Sequence, residues 1–197
     1  MKSLLYTILV SFASLVSSHA AYDVYLKFNG GSASSSITLG DSGDNEYNKA
    51  QGWFKLSDFS FGIENTVTVG SGGGGISSGR ASFDEVKVTK SAGAGSAQLF
   101  LACATGSQYT SVTIVLVRPG ATPEAAKTRI LQMDYYHVVI QSVKTAGSDG
   151  DEILNEDVVF KHGSQRLQFF TQNSETGAEE PPWEAQWSVI ENIAVAP

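Results

Sequence analysis

Residues 53–63 read WFKLSDFSFGI. Trp53, Lys55, Ser57, Phe59 and Phe61 alternate with Phe54, Leu56, Asp58 and Ser60. A period of two is that of an extended strand, whose side chains point to opposite faces in turn. Both faces carry aromatic rings, so both are expected to meet other protein. That already argues for a β-domain in which sheets close on themselves or on each other.

Working outward, the same period recurs. AYDVYLKF, 21–28, places Tyr22, Val24, Leu26 and Phe28 on one face and Asp23, Tyr25 and Lys27 on the other, a half-buried strand. Residues 29–52 loosen into Gly, Ser, Asp and Asn, a polar loop with a short extended piece at Ile37–Leu39. VGSGGGGISSGR, 69–80, has six glycines in twelve positions. ASFDEVKVTK, 81–90, is a strand whose apolar phase changes between Phe83 and Val86, as a bulge near Asp84-Glu85 would produce. SAQLFLACATG, 96–106, reads as a helix. Ser96 can cap its start, Gly106 can close its end, and Ala97, Phe100, Leu101 and Ala104 fall at helical spacing. TSVTIVLVRPG, RILQMDYYHVVIQSV, ILNEDVVFK and SQRLQFFTQ read as strands, with His162-Gly163 between the last two. The tail begins as a polar linker with Pro181-Pro182. It ends on Trp183, Trp187, Val189 and Ile190 in the pattern of a docking strand. Seven or more strands against one short helix make a mainly β domain, a barrel or two packed sheets.

Composition bounds the rest. The chain of 197 residues has a formal net charge of −7. Residues 1–20 have the marks of a secretory signal: Lys2, a 13-residue apolar run and Ser18-His19-Ala20 before Ala21. The run is too short for a bilayer, which needs about 20 apolar residues. Cleavage after Ala20 would leave residues 21–197 as one domain starting at Ala21, with 12 basic and 20 acidic residues, a balance of −8. Such a chain is not expected to use nucleic acid or an anionic membrane as a main partner. Its one cysteine, Cys103, cannot form an internal disulfide. Stability must come from burial or assembly.

Chemical motifs are scarce. Gly70, Gly72 and Gly75 fit G-x-G-x-x-G, and Gly74–Gly79 has phosphate-loop spacing, but Arg80 and Ala81 replace the required Lys and Ser/Thr, and a strand follows instead of a helix. His137 and His162 lack paired ligand spacing. DSGDNE, 41–46, and SDGDE, 148–152, have calcium-loop composition without the glycine and distant Glu of that motif, so they read as solvated turns, with weak calcium binding left open. There is no G-x-S-x-G elbow, and Cys103 reads as a small buried side chain. An enzyme is disfavoured, with no cofactor and no metal implied.

The order of pieces is similar to one family. WFKLSDFSFGI, a Gly-rich loop, ASFDEVKVTK, the helix AQLFLACATG and SVTIVLVRPG resemble the Hcp (hemolysin-coregulated protein) family of type VI secretion tube proteins. The resemblance continues through VVIQSVKTAGSDGDEILNEDVVFKHG and takes in DVYLKFNG and QWSVIENIAV at the ends. It implies a two-sheet β-barrel or sandwich of about eight antiparallel strands with one helix on its side. It also implies a homohexameric ring that stacks into tubes and carries small secreted effectors in its pore, without catalysis. The signal segment departs from the pattern, since family members assemble in the cytoplasm; it implies a secreted or periplasmic protein with no membrane attachment after cleavage. The insert at Gly40–Ala50 and Pro181-Pro182 are further departures. Within that frame Ile63–Arg80 is far longer than a hairpin connection of about 2–5 residues. It reads as an arm reaching the next ring, with Val67, Val69 and Ile76 as anchors around Gly72, Gly73, Gly74 and Gly75. A loop with no role is the competing reading. The rival for the whole chain is an exported β-sandwich that binds carbohydrate, with Trp53, Trp183 and Trp187 as stacking platforms or, alternatively, as ordinary core and interface residues.

Overall fold

The computed structural model describes residues 22–31, 37–70, 75–120 and 126–195. The signal segment with Ala20 and Ala21, and the glycines Gly72, Gly73 and Gly74, lie outside the described residues. Eleven strands and one α-helix are described: β1 (Asp23–Asn29), β2 (Trp53–Ser60), β3 (Ile63–Val69), β4 (Ile76–Phe83), β5 (Val86–Ser91), α1 (Ser96–Thr105), β6 (Gln108–Arg118), β7 (Thr128–Ala146), β8 (Asn155–Lys161), β9 (Ser164–Phe169), β10 (Trp183–Ser188) and β11 (Ile193–Ala194). The strands exceed the eight expected because the glycine-rich arm and the tail form strands of their own.

Nine strands form one antiparallel sheet in the order β11-β10-β9-β7-β6-β1-β2-β5-β8, and β8 returns to pair with β7. The six strands from β7 round to β8 are therefore a closed barrel. Closure removes the unpaired edges that an open sheet would present. The 19-residue β7 makes closure possible. One of its edges lies along β6. The other pairs with β9 through Leu131–Tyr136 and with β8 through Val139–Ala146. At the changeover His137 has φ 54, and the buried positions shift from Leu131, Met133 and Tyr135 to Val138 and Ile140. β9, β10 and β11 continue from β7 as a flap outside the barrel.

Alternation fills the interior. Leu26, Phe28, Phe54, Leu56, Val86, Val88, Ile114, Met133, Val158 and Phe160 belong to one buried cluster. Phe28 is its aromatic centre, with ring contacts to Phe54, Tyr109 and Phe160. The strand expected over 81–90 is two strands in two sheets. β4 ends at Phe83 and β5 starts at Val86, so the change of phase marks the chain leaving one sheet for another instead of a bulge.

The helix occupies its expected residues but buries a different face. Leu99 and Ala102 are buried, Cys103 is partly buried against the core, and Phe100 and Leu101 are 68% and 44% exposed. The N-cap is Gly95, with no side-chain cap. A side chain there would collide with the Phe54 ring and the Leu39 carbonyl. Ser96, expected as the cap, serves instead a buried charge. Gly106 closes the helix in the left-handed region, donating its N–H to the carbonyls of Ala102 and Cys103.

That charge is Lys90, whose side chain is fully buried. Its ammonium lies 2.7 Å from Asp41 and 3.1 Å from Glu156, donates to the Ser91 carbonyl at 2.7 Å and to Ser96 Oγ at 3.3 Å, and sits 5.1 Å from the centre of the Phe54 ring. Ser96 Oγ and Thr145 Oγ1 donate to Glu156. The acidic stretch 41–46 is thus not a solvated turn. Asp41 pairs with Lys90, while Asp44 pairs with Lys127 and accepts from Tyr25. Burial opposes the charge on Asp44, but hydrogen bonds from Lys127, the backbone of Tyr47 and Glu46, and Tyr25 hold its pKa at about 2. The insert is folded down on the outer wall, where Tyr47 stacks on Tyr25 with centroids 4.7 Å apart and meets Trp53 edge-on. Ile37, expected in an extended piece, is buried in the core without forming a strand.

Two stability predictions follow from these buried groups. Lys90→Met removes the cation that faces the carboxylates of Asp41 and Glu156, and one-sided loss of a buried pair costs about 3–5 kcal/mol. Urea titration should show that loss, with partial recovery when Glu156→Gln is added; a cost under about 1 kcal/mol would contradict the role. His162 stands between β8 and β9, its ring 4.9 Å from Tyr135 and 6.2 Å from Phe83. Burial pulls its pKa from 6.5 down to about 4, opposed in smaller part by the Gln165 side chain. Between those values the unfolded chain holds more protons than the folded one. The stabilisation is complete above pH 6.5 and is lost as pH falls toward 4. The loss amounts to about 3 kcal/mol. His162→Phe should flatten the acid limb between pH 6.5 and 4 in urea titrations, and an unchanged slope would refute the assignment.

Candidate assembly surface

The segment Ile63–Arg80, expected as an arm between two strands, is itself a β-hairpin. β3 and β4 pair antiparallel from Ile63 with Phe83 to Val69 with Ile76, slipping register between Asn65 and Val67. Among the described residues they join no other strand and form a sheet of two. The Gly70 N–H donates to the Gly75 carbonyl at 3.0 Å, and Gly75 takes φ 73. The β-branched Val67, Val69 and Ile76 stiffen strands that the glycines around them would leave slack.

This hairpin buries almost nothing of its own. Every residue of β3 is exposed, and Val67, Val69 and Ile76 are 57%, 71% and 76% exposed. Two-stranded ribbons are marginal by themselves in water, so anchorage falls to the base. There the Asp84 N–H donates to the Gly62 carbonyl at 3.0 Å, Arg80 Nη2 donates to the Val189 carbonyl at 2.9 Å, and Phe83 meets His162 edge-on. A β-carbon at Gly62 would displace the Asp84 carboxylate, which lies against it.

Between the hairpin base and the flap lies a groove of about 450 Å³, walled by Ile63, Phe83, Leu167, Ala185, Trp187 and Val195. Phe169, Trp183 and Ile193 on the flap are 50%, 76% and 51% exposed. β11 pairs only with Trp187 and Ser188, so the Trp183–Gln186 part of β10 has a largely open outer edge among the described residues. Apolar side chains beside an open strand edge are what a protein contact covers.

The three tryptophans do not make one platform. Trp53 is on β2, packed with Tyr47 on the outer wall, whereas Trp183 and Trp187 are on β10. Among the described residues no group of three or more His, Cys, Asp or Glu could hold a metal ion, and no helix is long and apolar enough to cross a membrane. Sequence reasoning located Val67, Val69, Gly75 and Ile76 on the arm but missed the groove, because Phe83, Leu167 and Trp187 come together only through sheet order.

Comparison with curated proteins finds no match. Among solved structures, the fold is similar to one described as a type six secretion system protein, with 22% identity, a TM-score of 0.73, and 89% of this chain and 100% of that chain covered. It is also similar to Hcp1 from Salmonella typhimurium, with 19% identity, a TM-score of 0.64, and coverage of 89% and 99%. A type VI secretion system effector from Yersinia pestis matches with 17% identity, a TM-score of 0.57, and coverage of 84% and 99%. At these identities the likeness shows the fold. A family model, that of the type VI secretion system effector Hcp, matches residues 25–169, which run from the first barrel strand through β9, and the chain therefore belongs to the Hcp family.

Proposed function

We propose that this chain is a ring-forming structural subunit, six copies to a ring, whose rings stack and whose pore takes small effector proteins. The observation that carries the reading is the β3–β4 hairpin, a ribbon with Val67, Val69 and Ile76 exposed and, among the described residues, no partner strand. Membership of a type VI secretion family supplies the setting. The open edge of β10 and the exposed rings of Trp183 and Phe169 need covering, and a closed ring covers the same surface on every copy. The hairpin is β-structured before contact, so docking it costs less backbone entropy than ordering a coil of the same length. Each contact is small, and the ring multiplies it, because copies held in one ring engage the next together. The groove at the hairpin base offers apolar surface of matching character for a neighbour's Val67, Val69 and Ile76. Residues 1–20 act in this reading as an export signal, and the mature chain starts at Ala21.

Light scattering on the mature protein at micromolar concentration should give six times the subunit mass; a monomer overturns the ring. Replacing Val67, Val69 and Ile76 together by Ser should leave rings closed and abolish tubes in electron micrographs at high protein concentration. Tubes from that variant, or none from the parent, would count against the hairpin's role. N-terminal sequencing from the native host should begin at Ala21, and an intact Met1 would refute export by this signal.

A further inference from the structure

The outer wall of the barrel holds a second concavity, remote in character from the assembly surface. Cross-strand register lays Trp53, Lys27 and Thr113 side by side on β2, β1 and β6, since Lys27 pairs with both of the others. Gln132 on β7 lies opposite Val115 on β6. With Tyr47 from the insert these residues line a cleft of about 310 Å³, at the small end of ligand sites in proteins. Its floor is apolar: Tyr47 and Val115 are 7% and 2% exposed, and Trp53 packs against them. Lys27 Nζ stands 5.7 Å from the centre of the Trp53 ring.

Among the described residues, the cations around this cleft are paired, with one exception. Arg129 is bound by Glu179, Arg166 by Asp134, Lys127 by Asp44, and Lys55 by Asp23. Lys27 has no acidic partner among the described residues and is held only over the indole. A protein of net charge −7 thus keeps one uncommitted cation above an aromatic floor. The polar wall keeps spare capacity. Thr113 Oγ1 donates to Asp134 and retains acceptor lone pairs, and Gln132 Nε2 donates one hydrogen to Asp134 and retains the other.

We propose that this cleft binds a single sugar ring carrying a carboxylate. The carboxylate meets Lys27 Nζ in a charge-assisted hydrogen bond. The C–H face of the ring lies on the exposed part of Trp53, above the buried Tyr47, and its hydroxyls reach Thr113 and Gln132. One negative charge suits one free ammonium, whereas a polyanion would work against the protein's net charge of −7.

The test is titration of the full mature protein with glucuronate, glucose and acetate at equal ionic strength, read by tryptophan fluorescence and by NMR shifts. Glucuronate should saturate with a dissociation constant of about 1 mM or tighter, and glucose and acetate should each bind at least about tenfold more weakly. NMR shifts should centre on Trp53 and Val115. Lys27→Gln, a change at a partly exposed side chain, should weaken glucuronate about tenfold with the melting temperature unchanged. Gln132→Ala should weaken it less. No saturation by about 20 mM, equal binding of acetate, shifts centred elsewhere, or an unaffected Lys27→Gln variant would each overturn the proposal. A monomer that still binds glucuronate would leave this site standing while the ring reading falls.

Discussion

The length of β7 is the constraint on which the other elements depend. A strand has two edges, and β7 gives one of them to β6 from Thr128 to Val139. The other must serve two tasks, because β9 and β8 both claim it, one after the other. The β8 portion closes the barrel, while the β9 portion starts the flap of β9, β10 and β11. The switch between them is local: His137 adopts φ 54, uncommon for a residue with a side chain. Gly163 lies close by, where a β-carbon would press on His137 and Ile190. Shorten β7 at either end and either closure or the flap is lost.

Closure in turn decides where charge can go. The Lys90 side chain is fully buried, so Asp41, Glu156, Ser96 and the Ser91 carbonyl surround its ammonium. Those groups come from the insert, β8, the helix start and β5, and the ammonium therefore ties together segments that share no strand pairing with the helix. An isolated buried charge would be costly. On the outer wall the same logic is repeated in wetter surroundings, with Asp134 bridging Thr113, Gln132 and Arg166. The polar-looking insert follows from this too, since its acids are ligands for cations of the barrel and its Tyr47 is a lid on Tyr25.

The hairpin obeys a different economy. It draws almost no stability from the barrel beyond its base, and Val67, Val69 and Ile76 stand exposed among its polar residues. Such a ribbon presents exposed apolar side chains on open strands, which the closed barrel itself, lacking edges, does not.

Much of this was legible in the chain. Period-two alternation in WFKLSDFSFGI and AYDVYLKF identified β2 and β1 as strands, because the pleat imposes that period whatever the partner. It did not show that a register shift after Leu56 brings Phe59 to the core face with Phe54. Ser96–Thr105 was marked as helix by its length and by Gly106. The arm's apolar residues were visible, as was the break at Asp84-Glu85, though not its meaning. What the sequence left open were the pairings. Backbone ladders bond any residue to any other, so nothing local says that β8 returns to β7, that β4 and β5 belong to different sheets, or that Ser96 serves Lys90 instead of capping its helix. Nor does helical spacing say that Leu99 and Ala102, not Phe100 and Leu101, face the core; that is decided by where the barrel wall stands. The sequence by itself determined the elements and their periods. Only the tertiary structure decided which edges meet, because closure and side-chain packing act between residues far apart in the chain and are felt only once the whole barrel is assembled.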